Sequence, residues 1–114
     1  MDAAAILTEE EVTAALAALK ERMGSLLGDD LVKLVLYGSR ARGDADADSD
    51  VDVAIVVRGL DADRRDRILD AVTRIELEHV VPLSTLILNE DEYRRLLHRE
   101  RRIALDIERE GIPL

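Results

Sequence analysis

The chain has no cysteine, tryptophan or phenylalanine, and its aromatic content is two tyrosines, Tyr37 and Tyr93. Without cysteine it can form no disulfide, thiolate nucleophile or zinc-cysteine site. With so few rings, stacking on nucleobases is weak unless a partner supplies it. Long apolar runs are also missing. No stretch approaches the ~20 residues that span a bilayer, and residues Met1 to Glu10 are acidic where a secretory leader would be basic. A cytoplasmic location without membrane contact is the expectation. Positive charge is scarce as well: 16 Lys and Arg stand against 25 Asp and Glu, a net charge of −9. That balance argues against a sequence-independent grip on long nucleic acid, which is built from Lys and Arg against phosphates. A single nucleotide escorted by a metal ion remains compatible, because the cation carries positive charge into an acidic cleft.

What is present suffices for one modest core. The 114 residues are 47% apolar, which predicts a single domain over residues 1–114. Thr8 and Glu11 have capping-box spacing, and Val12, Leu16, Leu19, Met23 and Leu26 recur at helical intervals, so a first helix runs to about Leu27. Gly28-Asp29-Asp30 breaks it, and Leu31 to Tyr37 is an apolar run suited to a buried strand. Arg40 to Gly43 predicts a helical turn, and the Asp44 to Ser49 loop leads into a strand over Asp50 to Val57. Ile68, Leu69, Val72, Ile75 and then His79 or Val80 outline an amphipathic helix. Leu83 to Leu88 forms a third strand, and Asn89 caps a helix with Tyr93, Leu96 and Leu97. A last helix with Ile103, Ala104 and Ile107 ends at Gly111. The order describes a small sheet covered by helices.

Chemistry concentrates in residues 36 to 52, Leu-Tyr-Gly-Ser-Arg-Ala-Arg-Gly-Asp-Ala-Asp-Ala-Asp-Ser-Asp-Val-Asp. Side chains alternate across a strand, so Asp50 and Asp52 project from one face while Val51, Val53, Ile55 and Val57 face a core. Two carboxylates on one face can share a divalent cation. In the preceding turn Gly38 and Gly43 lack a Cβ, which lets the backbone approach a phosphate, and Ser39 adds a hydroxyl. A solvated loop edge is the bland alternative, but aspartate at the start of an apolar strand is unfavourable without a compensating role. Arg40 and Arg42 at a helix start are mildly disfavoured by the helix dipole, which tilts their reading from surface charge toward phosphate contact.

Gly38-Ser39, a spacer and Asp50-Val51-Asp52 resemble the signature of the DNA polymerase beta-like nucleotidyltransferase superfamily. Gly38 through Asp44 followed by Ser49 through Asp52 resembles, more narrowly, the minimal nucleotidyltransferases, small proteins often paired with a HEPN-domain partner. The likeness extends loosely from Leu31 to Glu110-Gly111-Ile112. It implies an α+β fold, a small mixed β-sheet covered by helices. It also implies a metal-dependent transfer of a nucleoside monophosphate, AMP from ATP, to a hydroxyl of a protein or small molecule. On that resemblance Asp50 and Asp52 are the catalytic and metal-binding pair for Mg²⁺ or Mn²⁺, and Gly38, Ser39, Arg40, Arg42 and Ser49 contact the nucleoside triphosphate. A HEPN-domain toxin or a second copy of the chain is the expected partner, completing the acceptor site.

The chain departs from the superfamily pattern in one respect. Active members carry a third carboxylate on a later strand, but Val81 to Leu88 contains no acid. Ser84 is the residue expected at that site, with a one-residue slip as the alternative register. Glu76 and Glu78 fall too early and read as solvated, and neither His79 nor His98 adjoins the motif. Losing a general base costs roughly 10²–10⁴ in rate. The competing function is therefore a nucleotide-binding or antitoxin-like module that keeps the fold and has lost turnover. The acidic run also resembles the front half of an EF-hand loop, but Ser49 and Ile55 stand where glycine and a bidentate glutamate are needed.

Overall fold

The computed structural model describes residues 8–43 and 50–114. Helix α1 (Glu9–Leu27) starts at a capping box in which the Thr8 side chain accepts from Glu11 N–H and Glu11 accepts from Thr8 N–H, both at 3.1 Å. A single 3₁₀ turn (Gly28–Asp30) leads into β1 (Leu31–Tyr37), and the four-residue α2 (Ser39–Arg42) follows at once. Next come β2 (Val51–Val57), α3 (Ala62–His79), β3 (Leu83–Asn89), α4 (Glu90–His98), α5 (Arg102–Glu110) and the two-residue β4 (Ile112–Pro113). No helix among the described residues is long and apolar enough to cross a membrane.

The four strands form one mixed sheet in the order β3-β2-β1-β4. β1 runs antiparallel to both β2 and β4, and β2 runs parallel to β3 across the helical crossover α3. The chain thus has the α+β fold read from the sequence, a small mixed sheet with helices on it.

Each face of the sheet carries its own core. Val51, Val53, Ile55 and Val57 pack with Leu19 and Met23 of α1 and Ile68, Val72 and Ile75 of α3. On the other face Ala54, Val56, Val35 and Leu88 pack with Tyr93 of α4 and Ala104 and Ile107 of α5. Because β1 and β2 are central strands covered on both sides, their sequences are nearly continuous apolar runs. That layering leaves Asp52 as the single charged residue within β2.

Several details differ from the sequence reading, and on α3 the buried stripe is Ile68, Ala71, Val72 and Ile75, with Leu69 and Val80 exposed. The buried stripe of α1 is Val12, Ala15, Leu19, Met23 and Leu27, with Leu16 and Leu26 only half-buried at its flanks. Strand β2 begins at Val51, so Asp50 stands exposed just ahead of it. Glu76 is half-buried where a solvated residue was expected, because its carboxylate accepts the Leu83 N–H at 3.0 Å. That bond closes the first free amide on the outer edge of β3.

The chain also ends in a strand that local pattern did not announce. Ile112 and Pro113 pair with Leu36 and Val35, and Leu114 N–H donates to the Leu34 carbonyl at 2.9 Å. Proline is tolerated there because β4 is an edge strand with an open side.

Candidate active site

The site lies where β1 hands over to α2 and where β2 begins. Register places Tyr37, Asp52 and Ser84 side by side on three adjacent strands, since Asp52 pairs with Tyr37 on β1 and with Ser84 on β3. Asp50 precedes β2 by one residue, next to the point where Val51 N–H donates to the Pro82 carbonyl at 3.2 Å.

Gly38 is the hinge of this arrangement. Its φ of +77° lies in the left-handed region, and a Cβ there would collide with Asp52 Oδ2. Any side chain at position 38 would therefore be strained twice, once by backbone conformation and once by overlap. The consequence is close packing of the glycine-serine turn against the Asp52 carboxylate. Ser39 opens α2, whose Arg42 N–H donates back to the Gly38 carbonyl at 3.1 Å, and Gly43 ends it in the left-handed conformation at φ +80°.

Electrostatics single out Asp52. Burial raises its pKa above the ordinary aspartate value, and the neighbouring Asp50 charge raises it further. A hydrogen bond from the Ser84 hydroxyl and the Arg42 charge act in the opposite direction without cancelling the rise. The Tyr37 hydroxyl is likewise pushed up, by burial and then by the Asp52 charge. A half-buried carboxylate repelled by a second one is an arrangement that a divalent cation relieves, and hard oxygen donors suit Mg²⁺ or Mn²⁺. Asp50 and Asp52 therefore fit such an ion, but as a pair. Among the described residues no group of three or more His, Cys, Asp or Glu converges to hold a metal.

The two arginines of the turn point to different surroundings. Arg42 acts electrostatically on Asp52 and also meets Glu110 at the end of α5, with its guanidinium 3.4 Å from the Glu110 carboxylate. Arg40 lines a cleft with Glu9, Val12, Thr13 and Leu16 of α1, together with Leu36 and Gly43. Ser49 and the acidic loop before it lie outside the described residues. The structure thus gathers Gly38, Ser39, Arg42, Asp52 and Ser84 and flanks them with Asp50. Sequence reasoning missed Tyr37 and Glu110 as neighbours. Tyr37 becomes a neighbour through the observed register, which pairs it with Asp52; Glu110 carries no local signal.

A profile described as "Nucleotidyltransferase domain" matches residues 16–108. The chain belongs to this nucleotidyltransferase domain family, within the polymerase beta-like superfamily. No curated protein matches the chain. Among solved structures, a candidate nucleotidyltransferase from Sulfolobus solfataricus is 19% identical, with a TM-score of 0.48. The alignment covers 93% of this chain and 86% of that one.

Proposed function

We propose that the protein is a metal-dependent nucleotidyltransferase of the minimal type. It moves a nucleoside monophosphate, AMP from ATP, to a hydroxyl of a protein or small molecule, and serves as the antitoxin of a HEPN-domain partner. One observation carries the reading: the Asp52 carboxylate is packed against Gly38 so tightly that the turn and the acid form one site. Asp50 and Asp52 would hold the cation, which when bound neutralises phosphate oxygens and lowers the pKa of an attacking hydroxyl.

The chain's own groups divide the remaining work. The Gly38-Ser39 backbone and the Ser39 hydroxyl bind the outer phosphates, and Arg42 adds positive charge beside them. Tyr37, half-buried against Asp52, walls the site on the β1 side and limits its hydration. Binding and orientation of the triphosphate then set up in-line displacement at the α-phosphorus, with pyrophosphate leaving.

A second reading has its own support. Ser84 sits beside Asp52 where a third acid belongs in the family pattern, and this favours a binding module that retains nucleotide but masks its partner without turnover. Incubation with Mg²⁺, α-labelled ATP and the HEPN-type neighbour separates the two. Label on the neighbour that vanishes with Asp50→Ala/Asp52→Ala supports transfer. Tight complex formation that survives those changes, with no label transferred, supports the module.

A further inference from the structure

The Asp52 carboxylate has two lateral neighbours on opposite sides. Toward β1 lies the turn at Gly38, so near that a Cβ there would collide with Oδ2. Toward β3 lies Ser84, paired with Asp52 in the parallel register and donating its hydroxyl to the same carboxylate. Ser84 is exposed, whereas its strand neighbour Leu83 is buried. In-line displacement needs a leaving group and a nucleophile on opposite sides of the phosphorus. With the outer phosphates on the turn, an α-phosphorus over Asp52 has its leaving pyrophosphate toward β1 and its open side toward Ser84.

We infer that Ser84 is itself a nucleotide acceptor, and that the protein modifies its own β3 strand with a nucleoside monophosphate. This rests on the nucleotidyltransferase reading above and adds the identity of one acceptor hydroxyl. The bond from Ser84 Oγ to the α-phosphorus forms as the bond from that phosphorus to the bridging oxygen of the β-phosphate breaks. Pyrophosphate leaves, and the hydroxyl proton passes to solvent at this exposed strand position. No oxidant or reductant is required; the co-reactant is a nucleoside triphosphate.

The register explains why this residue and not another. Thr85 points to the opposite face of β3, and Ser39 is on the leaving-group side. A carboxylate at position 84 could activate a foreign hydroxyl, and its own attack would give only a readily hydrolysed mixed anhydride, whereas a serine gives a stable phosphodiester. The serine places an acceptor hydroxyl inside the site. Once esterified, β3 carries the monophosphate next to Asp52 and occupies the space that another acceptor would enter, so the chain limits its own transfer.

The test uses the full chain with Mg²⁺ and ATP labelled either on the α- or on the γ-phosphate, read by intact mass and peptide mapping. The expected result is α-label held covalently, a mass gain of one nucleoside monophosphate, and an adduct on the Ser84 peptide that is absent from Ser84→Ala. Retained γ-label, an adduct that maps elsewhere, or one that persists in Ser84→Ala overturns the inference. Nucleotide binding is measured in parallel on the unmodified chain by calorimetry. Binding without any adduct overturns self-modification alone, whereas absence of binding overturns the nucleotidyltransferase reading with it. Because the adduct is mapped on the native sequence, a folding defect in Ser84→Ala does not blunt the test.

Discussion

Val51, Val53, Ile55 and Val57 turn one face of β2 into α1 and α3, and all four are fully buried, whereas the opposite face opens with Asp52 before Ala54 and Val56 restore apolar packing. The same seven residues therefore do two jobs by alternation alone. On the first face every side chain removes apolar surface from water, worth roughly 1.5–3 kcal/mol for each large residue. On the second, one half-buried carboxylate is kept against its own electrostatics, held between a glycine that yields space and a serine that supplies a hydrogen bond. On that face the residue that costs stability, Asp52, is the one to which the proposed function assigns chemistry.

That contrast can be broken most forcefully from the apolar side. Ile55→Ala removes a fully buried side chain from the larger core and should destabilise the fold by about 2–5 kcal/mol in denaturant unfolding. Gly38→Ala comes next, acting on the acid side. It forces a Cβ into Asp52 Oδ2 at a positive φ, so it should displace the turn and reduce nucleotide affinity by more than about tenfold, a cost of roughly 1–2 kcal/mol or more. An intact affinity in calorimetry would show that the turn and the acid are not one unit.

Asp52→Asn has two effects of opposite sign. The Asp52 pKa is raised by folding, so the folded chain holds a proton more tightly than the unfolded chain, and stability falls as pH rises from the ordinary aspartate pKa through the raised one. The asparagine variant should accordingly melt higher than the native chain at neutral pH, and the difference should shrink below the ordinary aspartate range. It should at the same time lose more cation affinity than the roughly 10–100-fold typical of removing an outer-shell partner. Thermal melts across pH, with and without Mg²⁺, measure both.

A smaller effect lies away from the site. Val80 closes α3 in the left-handed region at φ +53° while 68% exposed. A β-branched residue is strained there and gains little from burial. Val80→Gly should stabilise the chain by roughly 0.5–1 kcal/mol without touching nucleotide binding.

Much of this was legible in the sequence because the informative signals are local. The alternation in Asp50 to Val57 announces which side chains share a face, and the Gly38-Ser39 turn after an apolar run announces the β1 to α2 corner. Thr8 with Glu11 gives the first helix start. What escaped notice depends on distant partners. β4 is two residues long and contains a proline, so only its pairing with Val35 and Leu36 makes it a strand. Glu76 looked like any helix-end acid until β3 brought the Leu83 amide to it. Arg42 and Glu110 are 68 residues apart, and nothing near either predicts that they meet. The Tyr37, Asp52 and Ser84 row needed a register that composition alone does not fix.

The most direct measurement is calorimetric titration of ATP with Mg²⁺ into the native chain and into Asp50→Ala/Asp52→Ala, with thermal melts to confirm that both are folded. The account predicts saturable, magnesium-dependent binding by the native chain and its loss in the double variant. Equal binding by both proteins, or binding by the native chain that ignores magnesium, would contradict it.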